Sequence, residues 1–160
     1  METARGSVAG ADKPVHVSMH IRPFEPKDEE PVVALWDRCG LVRPQNDPHE
    51  DIRRKLEVRP DLFLVGLVDG QIVATVMAGY EGHRGWLNYL AVDPQHRRKG
   101  LARAIIVAVE CLLRESGCPK INLQVRTSNQ GALEVYRRIG YTTDDVVSMG
   151  KRLVHDNRPS

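Results

Sequence analysis

Leu90-Ala-Val-Asp-Pro-Gln-His-Arg-Arg-Lys-Gly-Leu-Ala102 joins an apolar run to a helical pattern through a loop with three consecutive cations and a glycine. From Leu101 to Glu115, apolar residues recur at Leu101, Ala104, Ile105, Ala108 and Leu112, steps of three or four that predict an amphipathic helix. A helix start exposes backbone N–H groups without partners, and the macrodipole adds partial positive charge there. Gly100 admits a bulky anion close to the backbone, while Arg97, Arg98 and Lys99 supply full charges. The junction therefore reads as a cradle for a diphosphate. Neither G-x-G-x-x-G nor G-x-x-x-x-G-K-[ST] is present; the loop reads R-x-x-G-x-A. In isolation the same residues also describe a solvated basic turn.

Outward from this loop, the apolar run Trp86–Val92 predicts a strand that ends beside Pro94, which cannot donate to a ladder. If the neighbouring strand diverges there, backbone groups are left to pair with an extended, amide-bearing ligand. Upstream, Leu62–Val68 and Gln71–Tyr80 flank Asp69-Gly70, a strong hairpin signal, and Glu81–Gly85 is a turn. Before the hairpin, His20–Phe24 reads as a strand. A helix opens at Pro26 and Asp28 with Gly40 past its end, and Asp47-Pro48 caps a second helix running to about Val58. Downstream, Lys120–Val125 alternates as a strand, Gln130–Ile139 is a helix closed by Gly140, and Val146–Leu153 is a final strand. The order β-α-α-β-β-β-α-β-α-β predicts a single α/β (α+β) domain. Its sheet is mixed and mostly antiparallel, with a central parallel crossover over residues 86–125 and flanking helices. Residues 1–18 read as a flexible N-terminal tail, with Met19 a plausible alternative start; 19–155 form the domain, and 156–160 a polar tail.

Composition narrows the function. Net charge is +2 and aromatic content 5%, which argues against nucleic acid as the partner of the Arg97–Lys99 cluster, even with Arg103 and Arg114 added. Cys39, Cys111 and Cys118 are irregularly spaced, fitting neither a disulfide framework nor a zinc site, and point to reduced thiols in a cytoplasm. No segment approaches the ~18 consecutive apolar residues of a membrane span, and the N-terminus lacks the apolar block of a signal peptide.

Two further residues fit a nucleotide-like ligand. Asn129 lies at the mouth of the strand after the long helix, where its amide can meet a polar ligand arm or cap the next helix. Tyr136 follows two turns along the same helix face, as a core aromatic or with its hydroxyl reaching out.

L-A-V-D-P-Q-H-R-R-K-G-L-A (90–102) and N-Q-G-A-L-E-V-Y-R-R-I-G-Y (129–141), correctly spaced, resemble the two motifs of the GNAT N-acetyltransferase superfamily. The first is similar to its Q/R-x-x-G-x-G/A coenzyme A loop, and the resemblance spans about residues 20–153. R-P-Q-N-D-P (43–48), G-Y-E-G-H-R-G (79–85) and S-M-G-K-R-L (148–153) further resemble the YpeA-type branch of small acetyltransferases. The resemblance implies acetyl-CoA as co-substrate, with no metal. Leu90, Ala91 and Val92 would hold the pantetheine arm and polarise the acetyl carbonyl. Arg97, Arg98, Lys99, Gly100, Leu101, Ala102 and Arg103 would hold the diphosphate, Asn129 would touch the pantetheine, and Tyr136 would protonate the departing thiolate. A thioester is already activated, so an amine can attack it directly.

An ammonium substrate must first lose a proton. In relatives that acetylate protein N-termini, the position before Val125 is a glutamate; here it is Gln124, which cannot be a base. Glu81 and His83 are the candidate bases, and Asn88 can orient a water. Trp36, Arg43, Asn46, Asp47, Met77 and Tyr80 are candidates for lining the acceptor site, Arg43 holding a carboxylate and Asp47 steering an amine. The expected activity is N-acetylation of a small amine or amino acid. A non-catalytic acyl-CoA-binding module and a protein acetyltransferase remain as alternatives, and a homodimer is compatible with either.

Overall fold

The computed structural model describes residues 17–156. Of the expected tails, residues 1–16 and 157–160 lie outside the described residues. The elements run β1 His20–Pro23, α1 Glu29–Arg38, α2 Pro48–Leu56, β2 Phe63–Val68, β3 Gln71–Tyr80, β4 Gly85–Val92, α3 Leu101–Glu115, β5 Ile121–Leu123 and α4 Gln130–Ile139. The sheet order is β1-β2-β3-β4-β5, with every pair antiparallel except β4 and β5. The expected mixed sheet with one parallel crossover, β4-α3-β5, is the architecture observed.

Local chemistry sets these elements. Asp69 (φ 49°) and Gly70 (φ 75°) both take the left-handed conformation that a two-residue hairpin with right-handed twist requires. At Gly85 an added Cβ would come within 2.8 Å of the Cys118 Sγ, so a side chain there would push apart β4, β5 and the end of α3 where the parallel ladder begins. Arg22 holds Asp28 with two bonds of 2.7 and 2.9 Å, and the Glu25 N–H donates to the same carboxylate at 2.8 Å, closing a turn at Pro26–Asp28 ahead of α1.

The sheet is covered on both faces. Leu64, Ala74, Val76, Ala78 and Leu87 pack against Ile105, Ile106, Val109 and Leu113 of α3. Phe63, Val65, Met77 and Ala91 pack on the other face against Val32, Leu35 and Trp36 of α1 and Ile52 of α2. Each large aliphatic side chain buried this way contributes about 1.5–3 kcal/mol.

The expected strand Val146–Leu153 does not form. Among the described residues that segment has no ladder partner, and Val147 (87%), Met149 (91%) and Leu153 (87%) are exposed. Adjacent Val146 and Val147 break the alternation a half-buried strand needs, Gly150 interrupts it, and β5 is three residues long rather than the six expected. Polar contacts tether the segment instead: Asp144 to Lys120 (2.8 Å), Ser148 to Gln124, and Arg152 to Asn46 (2.8 Å). Asp156, expected in the tail, pairs with Arg54 at 2.5 Å.

Candidate active site

The two strands that should hold a ligand between them part in mid-sheet. The parallel ladder joins Gly85–Leu87 to Ile121–Leu123 and stops. On the other side of β4 the register runs Met77↔Asn88 and then Thr75↔Ala91, so Val76 faces both Tyr89 and Leu90. This is a β-bulge, and Tyr89 takes φ 49° to make it. The bulge shifts the alternation: Gly85 and Leu87 face α3, and after it Leu90 and Val92 do, while Tyr89 and Ala91 face α1. The Asp93 N–H donates to Val73 O of β3 at 2.8 Å. Successive amides alternate, so the N–H groups of Val92 and Leu90 point to the side that β5 has left.

The loop after β4 is braced from α1. Asp93 accepts from the Gln95 N–H (2.9 Å) and from Arg38 (2.8 Å), and the Val92 carbonyl accepts from Arg97 Nε (3.2 Å) and the Cys39 thiol (3.4 Å). Arg98 (φ 62°) and Gly100 (φ 77°) both turn left-handed. The first α3 bond runs from the Ala104 N–H to Gly100 O (3.1 Å), leaving the amides of Leu101, Ala102 and Arg103 ahead of the ladder. Arg97, Arg98, Lys99 and Gly100 are exposed, no acid lies in the first turn of α3, and a Cβ on Gly100 would meet nothing within 4 Å. The glycine thus serves the backbone angle and the space above it, not packing, as an anion cradle requires.

Across the opening, Asn129 caps α4 by accepting the Ala132 N–H at 3.1 Å, and its amide donors remain on an exposed residue. Tyr136 packs on the α3-side core together with Leu90, Val92 and Leu123, edge-on to Tyr141 at 5.7 Å. Its hydroxyl makes no hydrogen bond among the described residues, and burial pushes its pKa up to about 12, so it carries its proton at neutral pH. It borders a cleft of about 1070 Å³ with Gln124, Thr127 and Gln130.

The remaining expected residues divide. Trp36 is fully buried and Met77 8% exposed, so both belong to the core and neither lines an open pocket. Asp47 is the α2 cap, accepting the His49 N–H at 2.9 Å, and its own N–H donates to Asp156 at 3.1 Å. Asn46 accepts from Arg152 at 2.8 Å, while Arg43 is exposed in the same loop. Asn88 is exposed one residue before the bulge. Tyr80 donates to Gly82 O (3.2 Å) and Gly117 O (3.3 Å), at the opposite end of β4 from the loop. Glu81 and His83 share that turn, where the Glu81 carboxylate accepts the Arg84 N–H. Gly85 and Leu90 are five strand steps apart, roughly 16 Å by strand rise, so the structure does not bring Glu81 or His83 to the bulge.

Sequence reasoning missed Thr75, Tyr89 and Asp51. The Trp36 Nε1 donates to Thr75 Oγ1 (2.9 Å), whose hydroxyl donates to Tyr89 O (2.8 Å), and Tyr89 donates to Asp51 at 2.5 Å. The available signal was the slip in phase between Leu87 and the pair Leu90, Val92.

The acetyltransferase (GNAT) family matches residues 27–141. An acetyltransferase from Pectobacterium atrosepticum is 50% identical over 138 residues, covering 86% of this chain and 98% of that protein. An acetyltransferase from Yersinia pestis is 48% identical over the same shares. Among solved structures, Ard1 from Thermoplasma volcanium matches with a TM-score of 0.69 at 26% identity, over 79% of this chain and 84% of that one. AAC(6')-Iy, in complex with the bisubstrate analogue CoA-S-monomethyl-acetylneamine, matches with a TM-score of 0.70 over 84% of this chain and 99% of that one; at 20% identity it speaks to the fold alone. The chain belongs to the GNAT family and is an acetyltransferase.

Proposed function

We propose that the enzyme transfers an acetyl group from acetyl-CoA to a primary amine of a small molecule or amino acid by direct attack. The observation that carries this reading is the parting of β4 from β5 after Leu87, directly below the exposed cationic loop at the start of α3. Arg97 to Arg103 hold the diphosphate through side chains and the free amides of α3. The amides of Val92 and Leu90 face the pantetheine and the thioester oxygen, and Asn129 offers its amide from α4. A fixed N–H donor on the developing oxyanion is worth about 3 kcal/mol. The amine forms the new C–N bond, the C–S bond breaks, and the Tyr136 hydroxyl gives its proton to the sulfur. A thiolate with a pKa near 8.5 leaves readily, so this proton adds only moderately to the rate.

Asn88, beside the bulge, orients the water through which the amine loses its proton; Glu81 and His83 reach it only through longer relays. Gln124 cannot act as a base and is bonded to Ser148, which favours a small acceptor over a protein N-terminus. Three unpaired cysteines, Cys39, Cys111 and Cys118, support a place in the cytoplasm.

A thiol-release assay with acetyl-CoA and a panel of amines tests the reading. Amine-dependent turnover is expected, slowed roughly 10- to 100-fold by Tyr136→Phe. Binding of coenzyme A without acetylation of any amine would overturn it.

A further inference from the structure

The bulge that opens the thioester side of β4 also builds a second feature on the opposite face. Tyr89 is turned towards α2. Its ring stacks on Trp36 at a centroid distance of 3.8 Å and an interplanar angle of 15°. Trp36 is fixed by its bond to Thr75, and the Thr75 hydroxyl donates to the Tyr89 carbonyl at 2.8 Å. The phenol is therefore held at ring and backbone, and it donates to Asp51 Oδ2, in the first turn of α2, at 2.5 Å.

Asp51 is pinned, and its ion pair is loose. Among the described residues its other oxygen pairs with Arg54 at 3.4 Å, while Arg54 is drawn more closely to Asp156, by contacts of 2.5 and 3.2 Å. The Asp51 side chain keeps 22% of its surface exposed. Stabilisation of a helix start accounts for an acid in the first turn of α2, but not for a phenol delivered to it by a left-handed residue of β4. A partly open carboxylate, held at a set distance from the bulge, is a receptor for a cation.

We infer that Asp51, positioned by Tyr89, binds a second ammonium group of the acceptor, which makes the acceptor a small diamine whose other nitrogen reacts at the bulge. This rests on the acetyl-transfer reading above. A tyrosine side chain sets the spacing: the two nitrogens stand roughly 6–9 Å apart, the reach of four to six methylenes. Asp51 keeps the proton on the far nitrogen. Like-charge repulsion eases its loss from the near one, which must be neutral to attack.

The experiment compares 1,4-diaminobutane with butylamine, both as acceptors in thiol release and by calorimetric titration into the coenzyme A-loaded protein. The expected kcat/KM ratio favours the diamine by tenfold or more. Asp51→Asn brings that ratio towards one, mainly through KM, and weakens diamine binding roughly 10- to 100-fold. Tyr89→Phe, which keeps the stack on Trp36, lowers the ratio less and again through KM; it decides the matter if Asp51→Asn does not fold. A wild-type ratio near one, or diamine binding unaffected by both variants, overturns the inference. Diamine binding that depends on Asp51 without acetylation of any amine supports the inference and overturns the acetyl-transfer reading instead.

Discussion

Gly100→Ala separates what the loop does for the ligand from what it does for the fold. Gly100 has φ 77° and ψ 10° at the start of α3. An L-residue in that region costs about 1–2 kcal/mol. A Cβ there meets no atom within 4 Å, so no packing clash adds to the cost. At roughly 2–4 °C per kcal/mol for a chain of this size, the melting temperature falls by about 2–8 °C. The new methyl group, however, stands beside the free amides of Leu101 and Ala102, where the diphosphate approaches. Losing one hydrogen bond to a charged group costs about 1.5–3 kcal/mol, roughly 10- to 100-fold in affinity. The assay compares acetyl-CoA with acetylpantetheine, which carries the same thioester and no diphosphate. In Gly100→Ala, kcat/KM for acetyl-CoA is expected to fall by that factor and that for acetylpantetheine to change far less. Equal losses with both donors, or a lower melting temperature with no change towards acetyl-CoA, would refute the cradle.

Burial of Tyr136 raises its pKa to about 12, so the wild-type pH–rate profile is expected to show no descending limb below roughly pH 10. Thr75→Val strands the Trp36 indole N–H in the core and is expected to cost about 1–3 kcal/mol in denaturant melts, with a loosened Tyr89. Burial works against the Asp28 carboxylate, but Arg22 and the Glu25 N–H outweigh it and hold its pKa below the ordinary value. Its contribution is therefore complete above about pH 4 and lost as pH falls through the lower folded value. Denaturant melts of Asp28→Asn between pH 5 and pH 2 are expected to show a shallower loss of stability than wild type, from a starting point about 1.5–3 kcal/mol lower.

Much of the scaffold was legible because local chemistry dictates it. Asp69-Gly70 can do little but turn a hairpin, and the apolar stripe of α3 with three cations before it admits few alternatives. Pro94 and the loop that follows pointed to a gap beside β4. What the sequence hid was non-local. No propensity marks Tyr89 as left-handed; its conformation follows from the register of β3 against β4 and from the Trp36–Thr75 bonds, 39 residues apart in the chain. Trp36 and Met77 read equally well as pocket or core, and burial against Phe63 and Val65 decided for the core. Glu81 and His83 carry the right chemistry for a base, but strand length alone places them at the far end of β4. The segment Val146–Leu153 is rich in apolar residues, but Val146-Val147 and Gly150 break its alternation, and β5, three residues long, offers it little to pair with.

The most direct test of the diphosphate cradle is calorimetric titration of the purified chain with acetyl-CoA, beside the variant carrying Arg98→Ala and Lys99→Ala. The expected result is one-to-one binding that weakens with salt and drops at least roughly tenfold in the variant. No heat with acetyl-CoA, or equal affinity in both proteins, would contradict it.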